Sequence, residues 1–120
     1  MKKHLIALIY LGCATFACES YAAANVYTKQ HDLLVAAIRN GEVSGVMEGS
    51  VAEMFTRQFR STGVLNVEAK VIKSFQRADC KRVEITFTKK DVQTGQGLTD
   101  AILKNQMNYC LDGTPPIGVE

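Results

Sequence analysis

Tryptophan is absent from the 120 residues, histidine occurs twice, and proline appears only as the adjacent pair Pro115-Pro116. No nucleophile elbow and no compact set of metal ligands can be read anywhere along the chain. These absences leave a small hydrolase little to work with. An excess of one charge is missing too: 14 Lys and Arg stand against 12 Asp and Glu. Such a balance offers no electrostatic case for binding nucleic acid. Internal repeats, low-complexity segments and a second long apolar run are also lacking.

What is present begins at the N-terminus. Lys2, Lys3 and His4 make a short basic start, residues 5–17 are largely apolar, and Ala22, Ala23 and Ala24 follow. This is the three-part layout of a secretory signal peptide. Small residues one and three places before a cut allow cleavage before Asn25 (Ala22, Ala24) or before Ala23 (Ser20, Ala22). The apolar stretch of about 13 residues falls short of the ~20 that a membrane-spanning helix needs. Leu11-Gly12-Cys13 also resembles a lipoprotein acceptor site, with Tyr10 where such sites usually carry Leu. The expectation is therefore a leader over residues 1–24, export to the periplasm, and one small domain over residues 25–120; anchoring at Cys13 is the minority alternative.

Removing residues 1–24 takes away Lys2, Lys3 and Glu19, and leaves 12 basic and 11 acidic residues. Cys13, Cys18 and His4 leave with them, so only Cys80, Cys110 and His31 remain of those types. Two cysteines in an oxidising compartment read as a disulfide. A zinc site needs about four ligands at compact spacing, and a catalytic thiol needs a base beside it, with His31 the sole candidate. Neither alternative is supported by the spacing. No cofactor is expected.

In the first half the apolar residues repeat at helical spacing. Thr28 is placed to cap a helix over residues 29–40, where Leu34, Ala37 and Ile38 share a face and Gly41 offers the stop. Residues 41–49, with three glycines, read as a connector. Ser50 and Glu53 then form a capping box that opens a helix to about Ser61. Its stripe is Val51, Met54, Phe55 and Phe59, and Glu53 and Arg57 make an i,i+4 pair. Met47 and this stripe read as core. Glu53 as the acid of a wall-degrading enzyme would need a second carboxylate at defined separation, and the cap already accounts for it.

After Gly63 the period becomes two. Leu65, Val67, Ala69 and Val71 alternate with polar residues, and Ile72 breaks the pattern, which suggests a bulge or a change of buried face. A tight connection at Arg77-Ala78-Asp79 leads to a strand over residues 81–88, with Val83, Ile85 and Phe87 on one face. Residues 89–97 read as a polar loop. Residues 101–111 fit either a helix capped by Thr99 or a strand. If Cys80 and Cys110 lie opposite in an antiparallel pair, Val83 meets Met107, Ile85 meets Asn105 and Phe87 meets Leu103. Two of those three pairs are apolar, which favours a strand over residues 102–110. The expected fold is α+β: two N-terminal helices packed on a three-stranded antiparallel meander, with one disulfide.

Candidate partner-binding residues fall in two groups. Lys81, Arg82, Lys89 and Lys90 would form a basic patch on or near the second strand, facing an acidic protein or a membrane surface; solvated edge lysines that discourage aggregation are the plainer reading. Tyr109, Asp112, Pro115 and Pro116 belong to the run 106–116, where Asp112-Gly113 signals a turn and the prolines favour an extended tail that docks into a partner.

The leader, the compact domain and the run Asn108-Tyr109-Cys110-Leu111-Asp112-Gly113-Thr114-Pro115-Pro116 resemble small exported accessory proteins of bacterial conjugative-transfer and type IV secretion gene clusters. The resemblance covers the layout of the chain and about a dozen residues, without a diagnostic motif. It implies a non-enzymatic periplasmic helper with a protein partner in the cell envelope, and it assigns no site residues. The alternative is a periplasmic inhibitor or immunity protein against a secreted toxin or lysozyme. An unpaired outer strand is also compatible with a homodimer.

Overall fold

Two helices alternate with the first strands, and a long three-stranded meander completes residues 25–116, the part that this computed structural model describes. The expected leader over residues 1–24, Cys13 within it, and tail residues 117–120 lie outside the described residues. The elements are β1 (Asn25–Tyr27), α1 (Gln30–Asn40), β2 (Glu42–Met47), α2 (Ser50–Phe59), β3 (Leu65–Ser74), β4 (Cys80–Thr94) and β5 (Gly97–Cys110). All five strands join one sheet in the order β1-β2-β3-β4-β5. β1 runs parallel to β2, and the other neighbours are antiparallel.

The α+β class, the two helices and the disulfide are as expected, but the sheet is wider. The expected meander is β3–β5, and β1 and β2 extend it into a five-stranded mixed sheet. Residues 41–49 are not a plain connector. Val43, Gly45 and Met47 pair with Ala69, Val67 and Leu65 of β3, so β2 supplies a further row to the buried face. Gly45 belongs there because a Cβ at that position would collide with the Asn25 carbonyl of β1.

Residues 89–97 are not a loop either. β4 and β5 continue to Thr94 and Gly97 as a hairpin, with a register shift between Lys89 and Val92 where Asp91 takes φ 57°. The other irregularity lies between Val71 and Lys73, at Ile72.

The helices also differ at their ends. α1 begins after Lys29 rather than at a Thr28 cap, and α2 begins after Gly49, with Ser50 already inside it; neither start carries a side-chain cap bond. The expected capping box is therefore not formed. α1 ends at Gly41, whose N–H donates to Ala37 O at 2.7 Å. α2 ends two residues earlier than expected, at Phe59. Arg60 turns left-handed at φ 50° and Ser61 N–H reaches Thr56 O at 3.2 Å, a Schellman-type closure.

One face of the sheet carries the core. Leu65, Val67 and Ala69 of β3 and Val83, Ile85 and Phe87 of β4 are buried there under Leu33, Leu34 and Ala37 of α1 and Phe55 of α2. Phe55 ties α2 to the sheet through Phe87, with ring centres 5.2 Å apart. Met54, expected in the same stripe, is half exposed. The opposite face is polar. Ser44, Asn66, Glu68, Thr86 and Thr88 line a shallow groove of about 320 Å³ across it.

Candidate interaction site

The β4–β5 register brings most of the sequence-predicted partner residues to one end of the sheet. Cys80 pairs with Cys110, Lys81 with Tyr109 and Arg82 with Asn108. Leu111 N–H donates to Asp79 O at 3.0 Å. The cysteine pair is therefore one whose own N–H and C=O groups point outward, the closer of the two antiparallel pair types. Its Cα atoms are 4.0 Å apart, both residues are fully buried, and the disulfide pins the ends of both strands.

Around this staple three cations gather. Arg82 Nε donates to Asn108 Oδ1 at 2.9 Å, and Lys81 Nζ donates to Ser74 Oγ at 3.2 Å. Lys73 and Arg82 both lie over the ring of Phe75, at 5.7 and 5.8 Å from its centre. Among the described residues, no carboxylate is within ion-pairing distance of Lys73, Lys81 or Arg82. Arg77 is different, because it pairs with Asp79 at 3.2 Å and with Asp112 at 3.8 Å.

The C-terminal turn closes the other side of this end. Thr114 donates from its hydroxyl (2.6 Å) and its N–H (2.9 Å) to Asp112 Oδ1. These two bonds, the hydroxyl first, with Arg77 adding to them, hold the Asp112 carboxyl below the ordinary aspartate value. Tyr109 Oη and His31 Nδ1 share a hydrogen bond at 2.7 Å, their rings edge to face. Gly113 sits against the same pair, so the turn folds back on the start of α1. Pro115 is exposed and Pro116 half-buried.

The expected four-residue basic patch is not one patch. Lys81 and Arg82 lie at the disulfide end. Lys89 is eight residues along β4, roughly 27 Å away at strand rise, and is only 2 % exposed. Its Nζ donates to Thr56 Oγ1 at 3.1 Å and to the Gly63 carbonyl. It borders a pocket of about 250 Å³ between α2 and the sheet, with Met47, Ala52, Glu53 and Leu65 also in the wall. Lys89 is thus a core residue, because it continues the inward phase of Val83, Ile85 and Phe87. Lys90 points the other way and bonds Asp100 at 2.8 Å; that bond, with the attraction of the carboxylate, raises its ammonium above the ordinary lysine value.

Comparison with protein-family models, with curated proteins and with solved structures finds no match. The functional reading therefore rests on the residues themselves. Phe75 and Lys73 were missed from sequence, although the bulge at Ile72 was a signal that residues 73–75 change face. Among the described residues, no three His, Cys, Asp or Glu side chains cluster to hold a metal, and no helix is long and apolar enough to cross a membrane.

Proposed function

We propose that this protein is a non-enzymatic interaction module of the cell envelope, which docks an acidic protein surface at its disulfide-stapled end. The observation that carries this reading is the pair Lys73 and Arg82 over the Phe75 ring, with Lys81 next along β4, all three lacking carboxylate partners among the described residues. Cations that stack on an aromatic ring keep their outward charge while their stems stay ordered, so little side-chain freedom is lost on binding. Tyr109 and the Asp112 turn lie at the same end of the sheet, on the side of α1, with the exposed Pro115 just beyond them. The leader-like first 24 residues support a periplasmic location. The resemblance of chain layout and of residues 108–116 to conjugative-transfer accessory proteins supports a partner belonging to a conjugation or type IV secretion apparatus. Affinity capture from the native envelope tests the proposal. The wild-type protein should retain a defined partner that the Lys73→Glu, Arg82→Glu double variant loses. Equal capture by both would overturn it.

A further inference from the structure

The long outer edge of the sheet is built to be covered. β5 is a 14-residue edge strand, whereas the opposite edge is the three-residue β1. Native sheets blunt such edges with proline, bulges or several lysines. β5 contains no proline, its own run is unbroken, and its only charged residues are Asp100 and Lys104. Leu98, Ile102 and Leu103 on it are 66 %, 65 % and 51 % exposed.

The direction of its free backbone groups follows from the register. Cys110 turns its N–H and C=O away from β4, and its carbonyl accepts from Gly113 N–H at 2.9 Å on the outer side. Counting back by twos, Asn108, Gln106, Lys104, Ile102, Asp100 and Leu98 also present theirs to the open edge. None of them has a backbone partner there among the described residues.

We infer that β5 pairs antiparallel with β5 of a second copy of this chain, with Ile102 on the two-fold axis. The sequence of the strand is self-complementary in that register. Asp100 faces Lys104 of the second copy on both sides of the axis, Ile102 faces Ile102, and Leu103 faces Ala101. A shift by two residues toward the hairpin turn, centred on Asp100, sets the two Asp100 carboxylates against each other. The opposite shift, centred on Lys104, sets the two Lys104 ammonium groups against each other. Opposite charges and apolar pairs directly across a strand pair stabilise it, and like charges oppose it. Five residues from each strand contribute outward N–H and C=O groups, and the result is a continuous ten-stranded sheet. The two disulfide ends then point in opposite directions, roughly 50 Å apart along the strands. The inference is independent of what docks at those ends.

Sedimentation velocity of the purified protein, with its Cys80–Cys110 disulfide formed, tests the pairing across micromolar concentrations. A dimer is expected. Ile102→Pro removes only an outward N–H, so it should give a monomer with unchanged circular dichroism. Lys104→Glu should weaken the dimer about tenfold or more, and the double variant Asp100→Lys, Lys104→Glu should restore it even if Ile102→Pro fails to fold. A monomer at all concentrations overturns the inference. So does a dimer indifferent to the charge variants. A monomer whose amides at residues 98–106 nonetheless resist hydrogen exchange would mean that another segment of the same chain covers the edge, and it overturns the inference equally.

Discussion

Cys80 and Cys110 face each other across β4 and β5 at a pair whose backbone groups point outward, with Cα atoms 4.0 Å apart. The bridge closes a span of 30 residues that contains the whole β4–β5 hairpin. In the chain-entropy account, a loop of that length contributes about 3–4 kcal/mol by restricting the unfolded chain. The double variant Cys80→Ser, Cys110→Ser should lose that amount in urea denaturation. Mass spectrometry of the protein purified without reductant should also show a mass two hydrogens below the reduced value.

Lys89→Ala should destabilise the fold by about 2–4 kcal/mol, because it opens a cavity beside α2 and strands the Gly63 carbonyl and the Thr56 hydroxyl. Thr56→Val should cost less, about 1 kcal/mol. Denaturant midpoints would measure both. A surface role for Lys89 predicts no loss in either variant.

These two sites mark what the sequence made legible. Period-two patterning and the cysteine spacing were enough for the β4–β5 register as far as Lys89, because a bridged pair sets the partners along both strands up to the bulge that follows. The same phase, followed two residues past Phe87, pointed Lys89 inward; its charge hid that. β2 was hidden for another reason. Glu42–Met47 has Ser44 and Gly45 in its middle, and its place in the sheet depends on β1 and β3 lying on either side of it. The helical stripes were readable, whereas the caps were not, since Lys29 and Gly49 start the helices without any side-chain bond. At the candidate site, Lys81, Arg82, Tyr109 and Asp112 could be named from sequence, but the contact of Arg82 with Phe75 depends on the bulge, and that of Tyr109 with His31 on the packing of α1.

The Asp112 turn should respond to acid. Its carboxyl is held below the ordinary value by Thr114, so the turn is favoured above the unfolded-state value and loosens as pH falls through the folded one. NMR titration should give Asp112 a lower midpoint than an ordinary aspartate, and Thr114→Ala should move it up. An unshifted midpoint in the wild type would contradict the turn geometry.

Arg60 ends α2 at φ 50°, a conformation that costs most side chains energy and glycine none. Arg60→Gly should stabilise the protein by up to about 1 kcal/mol in thermal unfolding.

The central claim, a protein partner at the stapled end, is tested most directly by photo-crosslinking in the living envelope. A photoreactive amino acid replaces Phe75 or Lys81 in one set of strains and the half-exposed Met54 of α2 in a control. The account predicts one discrete crosslinked partner from Phe75 and Lys81 and none from Met54. Crosslinks from Met54 alone, or from no position, would contradict it.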